Sequence, residues 1–217
     1  MADEKKTKKI KYKPLSEKGT DRLYHILFWP FFVILSIFHP VRVVGKENIP
    51  AGAAVITPNH SSNFDPPMAI MAFGAKYPLR IMAKEELFFI PFLGFIMVKC
   101  GMFAVKRGQA DMAAIKHAIR VLKNNCKLML FPEGTRVTSD DTATSAKTGA
   151  IMFASRGQAP LVPVYIPRKK KWFRPTTVII GEPYYPDVPK KGATQEDYQR
   201  EADELLRRIY ALGEESK

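Results

Sequence analysis

Residues 53–75 have the sequence AAVITPNHSSNFDPPMAIMAFGA, and they decide the fold because the pattern changes within them from strand to loop to helix. Residues 53–57 are apolar and few, which is typical of a buried parallel strand. The polar residues that follow favour turns, and Pro66-Pro67 then predicts the start of a helix that runs to about Ala75. The loop would lie at the carboxyl end of the strand, where α/β folds place their sites.

The loop contains a histidine and an aspartate, His60 and Asp65, that lie five positions apart. Five positions turn an α-helix by about 500°, so on a helix the two side chains would point roughly 140° apart. On a strand, an odd separation would place them on opposite faces. They can therefore meet only in a loop. Taken alone, each residue also has an ordinary explanation, because an aspartate before Pro-Pro commonly caps a helix and a loop histidine commonly has no special role.

A second motif lies downstream, where residues 131–136 have the sequence FPEGTR at the end of a predicted strand. By itself this motif is also typical of a polar turn after a strand. Together with residues 59–65, it resembles the glycerolipid acyltransferase family, whose members transfer a fatty acyl group to a glycerol phosphate or a lysophospholipid. The family's histidine and aspartate, separated by four residues, match His60 and Asp65. The resemblance extends from about residue 41 to about residue 185.

The resemblance and the chemistry of acyl transfer together predict catalytic roles for His60 and Asp65. Transfer to an alcohol needs a base for the hydroxyl proton, and a histidine, with an ordinary pKa of about 6.5, is the natural base. Asp65 would fix the tautomer of the imidazole and stabilise the imidazolium, as the carboxylate does in hydrolase triads. The substrate hydroxyl can attack directly, so Ser61 and Ser62 are expected to form the loop or to stabilise the oxyanion.

Seven residues are predicted to bind the substrate, and each is either a cation or a member of the second motif. They are Lys106, Arg107, Glu133, Gly134, Thr135, Arg136 and Lys147. Arg136 offers a planar fork suited to a phosphate group, and Gly134 allows the backbone to approach a ligand closely. Glu133 would repel a phosphate, so it is expected to position Arg136 or to accept a substrate hydroxyl. The resemblance implies that Arg107 holds the acceptor's phosphate and that Lys147, in a lysine-x-glycine element, belongs to the family's pattern.

The activity implied by the resemblance is transfer of a fatty acyl group from acyl-CoA or acyl carrier protein to 1-acylglycerol 3-phosphate, which is lysophosphatidic acid. Acylation of its free sn-2 hydroxyl gives phosphatidic acid. Glycerol 3-phosphate or another lysophospholipid is an alternative acceptor. No cofactor is expected, and no metal either, because one histidine and one aspartate supply too few ligands.

Two other functional classes fit parts of the sequence. A lipid serine hydrolase would use His60 and Asp65 with an activated serine, but no Gly-x-Ser-x-Gly element occurs. A non-enzymatic membrane or nucleic-acid binder would explain the net charge of +13 but would leave both motifs unexplained. No RNA-binding signature, zinc-ligand spacing or basic heptad region is present. We therefore expect a membrane surface and an anionic substrate, and no nucleic acid, as partners.

The sequence predicts a basic mobile tail at residues 1–22, a helical membrane anchor at 23–40 and the catalytic domain at 41–217. The apolar part of the anchor, residues 23–38, is shorter than the ~20 residues that span a bilayer, and Pro30 would kink or break a helix. We therefore expect a bent helix in two pieces that enters one leaflet. A buried core helix is the alternative.

The expected location is the cytoplasmic leaflet of the cell membrane, where the protein would be peripheral or monotopic on anionic phospholipid. No secretory signal is evident, and Cys100 and Cys126 lack a partner motif, which favours a reducing compartment. Residues 168–174 place five cations around Trp172 and Phe173. This segment suits a solvated hairpin tip or, as we favour, a contact with the membrane interface.

The remaining patterns complete the expected fold class, a single α/β domain with a central, mostly parallel mixed sheet flanked by helices. Strands are predicted near residues 41–45, 53–57, 79–83, 102–105, 127–131, 161–166 and 177–180. Helices are predicted near residues 66–75 and 109–124 and from about residues 147 and 194. Pro163, inside one of these strands, predicts a position at a sheet edge or at a bulge.

Overall fold

The computed structural model describes residues 17–106, 108, 111–137 and 146–214. The predicted tail before residue 17 and the predicted phosphate ligand Arg107 therefore lie outside the described residues. Residues 17–22 of the predicted tail are helical instead, because the first helix begins at Glu17.

The strands of the described residues form one seven-stranded sheet. They are β1 (Val41–Val44), β2 (Ala54–Pro58), β3 (Leu79–Lys84), β4 (Phe103–Val105), β5 (Lys127–Met129), β6 (Leu161–Tyr165) and β7 (Thr176–Ile180). Their order across the sheet is β1-β7-β6-β2-β5-β3-β4. Neighbouring strands are parallel except β6 and β7, which are antiparallel. The predicted α/β domain with a mostly parallel mixed sheet is confirmed.

Helices cover both faces of this sheet. In the described residues they are α1 (Glu17–Phe38), α2 (Asp65–Phe73), α3 (Leu93–Lys99), α4 (Met112–Lys123), α5 (Gly149–Gly157) and α6 (Gln195–Glu214). Short 3₁₀ helices cover Lys46–Asn48 and Glu85–Phe89. Ile56 belongs to the buried cluster on the α2 side, and its neighbour Val55 belongs to the cluster formed with α4, α5 and α6. Every residue of β2 is buried, as expected for an interior strand with helices on both faces.

The first helix differs from the predicted two-piece anchor, because α1 is one helix with Pro30 inside it. A proline removes one backbone hydrogen bond, and the turns on both sides of Pro30 continue without it. Tyr24 and Phe28 are buried in a cluster with Cys100, which holds the inner face of α1 on the domain. The outer face is apolar and exposed, so α1 is not a fully buried core helix either. Within the described ranges, no helix combines the length and the apolar composition that crossing a membrane requires.

Pro163 lies in β6, an interior strand between β7 and β2, so the predicted edge position is wrong. The alternative, a bulge, is confirmed by the pairing of β6 with the chain that follows β7. Val164 pairs with Ile180 and Leu161 with Tyr184, so β6 advances three residues while the opposite chain advances four. The extra residue interrupts the ladder beside a proline that has no N–H to donate.

Candidate active site

The loop after β2 is fixed to the end of β6 by Asn59. The Asn59 side chain is buried, and Nδ2 donates to the Ile166 carbonyl oxygen at 2.9 Å while Oδ1 accepts from the Ile166 N–H at 2.7 Å. The Asn59 N–H also donates to the carbonyl oxygen of Val164 at 3.3 Å. His60 is the next residue, so it projects from a backbone that the sheet holds in place.

His60 and Asp65 meet across the loop, as their spacing requires. His60 Nδ1 lies 3.1 Å from Asp65 Oδ2, and the Asp65 side chain is fully buried. The same oxygen accepts hydrogen bonds from the N–H groups of Ser61 and Ser62, each at 2.6 Å. The loop therefore closes around the carboxylate. α2 begins at Asp65 itself, so this aspartate lies in the first turn of the helix and not at its cap.

The second oxygen of Asp65 faces a cation from a distant part of the chain. Lys170 Nζ lies 2.7 Å from Asp65 Oδ1 and donates to Ser61 Oγ at 3.2 Å. Its side chain is 5% exposed, although Lys170 belongs to the basic segment 168–174. This segment connects the antiparallel strands β6 and β7, so it is a hairpin connection that also contributes a buried residue to the site.

Asp65 is ionised at neutral pH in this environment. Burial raises the pKa of its carboxyl group, but hydrogen bonds from His60, Lys170 and Ser62, together with the charge of Lys170, hold that pKa below its ordinary value of 3.8. A carboxylate at Nδ1 favours the tautomer of the neutral imidazole that carries its proton on that nitrogen. The other ring nitrogen, Nε2, then has a lone pair that can accept a proton.

The orientation of the His60 ring is fixed from the neighbouring strand. The rings of His60 and Phe131 stack with centroids 4.0 Å apart and an angle of 19° between their planes. Phe131 follows β5, which is parallel to β2, so both rings come from the carboxyl ends of adjacent strands. In the described part of the chain, no side chain forms a hydrogen bond with His60 Nε2, which leaves that atom available to a substrate.

Glu133 holds the backbone of His60, so the expectation that it positions Arg136 is wrong. One oxygen of the buried carboxylate accepts from the His60 N–H at 2.8 Å, and the other accepts from the hydroxyl group of Tyr210 on α6. Burial raises the pKa of Glu133 above its ordinary value of 4.5, although the hydrogen bonds from Tyr210 and His60 oppose the rise. The Val137 N–H donates to the His60 carbonyl oxygen at 2.8 Å, so the second motif and the residue directly after it bind both the N–H and the carbonyl group of His60.

The other residues of the second motif lie closer to solvent. Thr135 and Arg136 are exposed, and Arg136 Nη1 donates to the side-chain oxygen of Asn63 at 3.0 Å. Gly134 has a φ of +72°, and a Cβ atom at this position would lie 2.9 Å from Lys147 Cγ. Glycine is therefore required both by the backbone conformation and by the approach of the lysine stem. The structure brings two exposed cations, Arg136 and Lys147, to the motif.

Lys106 is not brought close to this group. It follows β4, which is separated from β2 by β5 and β3, and three strand spacings correspond to roughly 14 Å. Lys106 Nζ lies 3.9 Å from Glu85 Oε1, in an exposed ion pair. The placement of the adjacent Arg107 is not described, so its predicted role in phosphate binding stays a prediction.

Sequence reasoning missed the contributions of Asn59, Lys170 and Tyr210. Lys170 is one of three consecutive lysines, and the pattern gives no reason to single it out. Tyr210 lies on α6, 77 positions after the glutamate that it binds. The topology offers a signal for Lys170, because β2 and β6 are parallel neighbours. The segment after β6 must therefore pass beside the loop after β2.

The arrangement provides a proton acceptor without an activated protein nucleophile. The Ser61 hydroxyl oxygen accepts from Lys170, and the N–H groups of Ser61 and Ser62 bind Asp65. Among the described residues, no serine hydroxyl group is hydrogen-bonded to His60, whereas a serine hydrolase depends on that contact. The geometry therefore favours a reaction in which the attacking hydroxyl group comes from a substrate.

Comparison with protein families matches residues 40–167, more than half of the chain, to the family described as Acyltransferase. A Bacillus subtilis protein named 1-acyl-sn-glycerol-3-phosphate acyltransferase is 35% identical over 162 residues, which are 70% of this chain and 78% of that protein. A Saccharomyces cerevisiae protein of the same name is 36% identical over 132 residues, which are 58% of this chain and 42% of that protein. The match to the yeast protein thus spans less than half of its length.

A solved structure shows the same architecture. The crystal structure of the 1-acyl-sn-glycerophosphate (LPA) acyltransferase PlsC from Thermotoga maritima superposes on this chain with a TM-score of 0.60. The two sequences are 29% identical, and the match covers 90% of this chain and 79% of that chain. Both motifs described above lie inside the region that the family comparison matches.

Proposed function

Because the chain belongs to the acyltransferase family, we propose that it transfers a fatty acyl group to the free sn-2 hydroxyl of 1-acylglycerol 3-phosphate, with phosphatidic acid as the product. The observation that carries this proposal is the His60–Asp65 pair, in which a buried carboxylate binds Nδ1 and leaves Nε2 for a hydroxyl group. The choice of acceptor is supported by the names of the relatives from Bacillus subtilis and yeast.

In the proposed mechanism, His60 acts as a general base. Nε2 accepts the proton of the sn-2 hydroxyl group. At the same time, the oxygen of that hydroxyl group attacks the thioester carbonyl of acyl-CoA or of acylated acyl carrier protein. The new C–O bond forms, the C–S bond breaks, and the proton passes from the imidazolium to the leaving thiolate. Asp65 stabilises the imidazolium that exists between these proton transfers. The reaction written in this way needs no metal and no cofactor.

The acceptor's phosphate is proposed to bind the cations beside the second motif. Arg136 is the first of these cations, because its guanidinium group is exposed and is oriented by its hydrogen bond to Asn63, in the loop that carries His60. Lys147 adds a second positive charge next to Gly134, and Arg107 is proposed to contribute from the end of β4, whereas Lys106 is paired with Glu85. Arg136→Ala should raise KM for the acceptor at least about tenfold with a smaller change in kcat, and an unchanged KM would contradict the phosphate role.

We propose that the protein works at the cytoplasmic leaflet of the cell membrane, because the proposed acceptor and product are both lipids. The outer face of α1 exposes Trp29, Ile34 and Ile37, and Trp172 and Phe173 are exposed on the basic segment. Aromatic residues next to cations suit the interface of an anionic phospholipid surface, and the net charge of +13 adds long-range attraction.

The activity is tested with purified protein and a radiolabelled acyl donor, supplied as acyl-CoA and as acyl carrier protein. The acceptors are 1-acylglycerol 3-phosphate, glycerol 3-phosphate and a lysophospholipid without a terminal phosphate. We expect labelled phosphatidic acid from the first acceptor. His60→Ala should reduce its formation at least about 1,000-fold while the protein stays folded, as checked by a cooperative thermal transition, because the base is lost and the fold is not.

The matched control is His117→Ala, which removes an imidazole from α4 near Phe103 and should leave the rate largely unchanged. Transfer to glycerol 3-phosphate alone would reassign the acceptor within the same chemistry. Release of free fatty acid without an acylated acceptor, or full activity of His60→Ala, would overturn the proposed function.

A further inference from the structure

We propose that Lys170 is a positioning residue that keeps His60 neutral, and so able to accept a proton, by balancing the buried charge of Asp65. This inference rests on the proposed function of His60 as the base. Lys170 acts through Asp65 and has no role in the chemistry assigned above.

The first support is the burial of the ammonium group. The Lys170 side chain is 5% exposed and the Asp65 side chain is fully buried, and their charged atoms are 2.7 Å apart. A lysine loses hydration when it is buried in this way, and the loss is tolerated where a carboxylate compensates for it. Lys169 and Lys171 on either side are more exposed, so the hairpin directs one of three consecutive lysines into the site.

The second support is that the two oxygens of the Asp65 carboxylate bind different partners. Oδ2 binds His60 Nδ1 and the N–H groups of Ser61 and Ser62, while Oδ1 faces Lys170. Because Lys170 and His60 bind opposite oxygens of one carboxylate, Nζ and Nδ1 are separated by no more than about 8 Å. In a medium with an effective dielectric constant of ~20, a unit charge at this distance changes the pKa of an imidazole by about one unit or more.

Removal of the Lys170 charge would leave Asp65, within the part of the chain that the structure describes, with no other counter-ion than the His60 imidazole. A buried carboxylate with no other counter-ion attracts a proton to the adjacent imidazole, and a protonated His60 cannot act as a base. The other charged or titratable groups around the pair are more distant or act through hydrogen bonds. They are Glu133 at the His60 N–H, Tyr210 and Arg168 behind Glu133, and Arg136 at Asn63. Among the described residues, Lys170 is thus the lysine that contacts Asp65 directly.

The test compares Lys170→Met and Lys170→Gln with the unsubstituted protein. We expect the acid limb of kcat/KM against pH to move upward by about one pH unit or more in both variants, since His60 then holds its proton to a higher pH. An NMR titration of the His60 imidazole, followed through its ring carbon–hydrogen signals, should show the same shift in the absence of substrate. Lys170→Arg keeps the charge and should restore the original profile.

Lys116→Met serves as the matched control, because it removes the same charge from an exposed position on α4. The inference is overturned if the His60 titration of Lys170→Gln coincides with that of the unsubstituted protein, whether or not its activity has fallen. A loss of rate at every pH without a shift in titration would show a merely structural role. The NMR result does not depend on turnover, so an inactive His60→Ala supports the proposed function independently of this outcome.

Discussion

The ionised Asp65 carboxylate is fully buried, and the groups that bind it come from two segments that are distant in sequence. The loop supplies His60 and the N–H groups of Ser61 and Ser62, and the hairpin between β6 and β7 supplies Lys170. These contacts lower the pKa of the carboxyl group below its ordinary value. The stability that Asp65 contributes is therefore present above its unfolded pKa and is lost as the pH falls through its folded pKa.

Asp65→Asn should reduce kcat at least about 100-fold, because the amide does not select the required tautomer of His60. The variant should also be less stable than the unsubstituted protein at pH 7, since Lys170 would face a neutral partner. The difference should shrink as the pH falls below the folded pKa of Asp65. Steady-state kinetics and urea unfolding at a series of pH values measure both effects. A pH-independent difference in unfolding free energy would contradict the assignment of the ion pair.

Glu133 has the opposite pH dependence, because burial raises the pKa of its carboxyl group. The stability associated with this group is present below its unfolded pKa and is lost as the pH rises through its folded pKa. In Glu133→Gln the side chain cannot ionise, so its unfolding free energy relative to the unsubstituted protein should increase from about pH 4.5 to pH 8. Urea unfolding measures this trend.

The same substitution should lower kcat more than it raises KM for the acceptor, since Glu133 accepts a hydrogen bond from the His60 backbone. Tyr210→Phe is the companion variant, because it removes the hydroxyl donor and retains the ring. The pKa of Tyr210 is raised to about 12 by burial and by Glu133, so this hydroxyl group stays protonated over the working range. A selective increase in acceptor KM would contradict the positioning role.

At the residue scale, the sequence predicted contacts that are local and missed those that are not. His60 and Asp65 are five positions apart, and the residue types between them require a turn. Lys170 and Tyr210 reach the site only because β6 lies beside β2 and α6 packs near β6. A single sequence does not specify which of several lysines such packing selects, and Glu133 was assigned to the wrong partner for the same reason.

At the scale of elements, α6 approaches strand β6 closely at Gly213. A Cβ atom on this residue would lie 2.4 Å from the nearest ring carbon of Tyr165, in β6. The close approach places the last turns of α6, including Tyr210, against the carboxyl end of β6. The amino end of α6 is fixed by reciprocal hydrogen bonds between Thr194 and Asp197.

The substitution Gly213→Ala has two opposing effects on stability. Alanine favours a helix over glycine by about 1 kcal/mol, whereas the clash with Tyr165 should cost about 1–3 kcal/mol. We expect a lower melting temperature and a reduced kcat, because α6 must move and Tyr210 moves with it. Glu214→Ala is the control, since it changes an exposed residue of the same turn. A melting temperature equal to or above that of the unsubstituted protein would show that the helix shifts without cost.

The strands and helices were largely predictable, because apolar runs and turn residues mark them directly. The errors occur at two prolines. Pro30 was expected to divide α1, but a helix held by Tyr24 and Phe28 tolerates one missing hydrogen bond. Pro163 was expected at an edge or a bulge, and the sequence could not choose because the choice depends on how the chain after β7 pairs.

At the scale of the whole molecule, the exposed apolar residues cluster on α1 and around α3. Phe92 is 77% exposed, and Phe95 on α3 is also exposed. α1 and α3 belong to the same part of the fold, where Phe28, on the inner face of α1, packs with Cys100 just after α3. Such a surface suits the membrane contact proposed above.

Replacing Trp29, Ile34 and Ile37 together by serine should weaken binding to anionic phospholipid vesicles at least about tenfold, since each side chain loses apolar burial in the interface. Vesicle sedimentation measures the binding. The melting temperature should stay unchanged, because these residues face away from the domain. Met112→Ser, at an exposed apolar residue of α4, is the control. Unchanged sedimentation of the triple variant would move the membrane contact to Trp172 and Phe173.

The pairing of β1 with β7 also has a consequence for how the protein is made. Residues 41–44 find their partner strand only after residues 176–180 have been synthesised, and Glu133 meets Tyr210 later still. A nascent chain on the ribosome therefore carries both motifs long before it can assemble them. We expect the complete site to form only after α6 has been synthesised, because Tyr210 holds the glutamate that binds the His60 backbone.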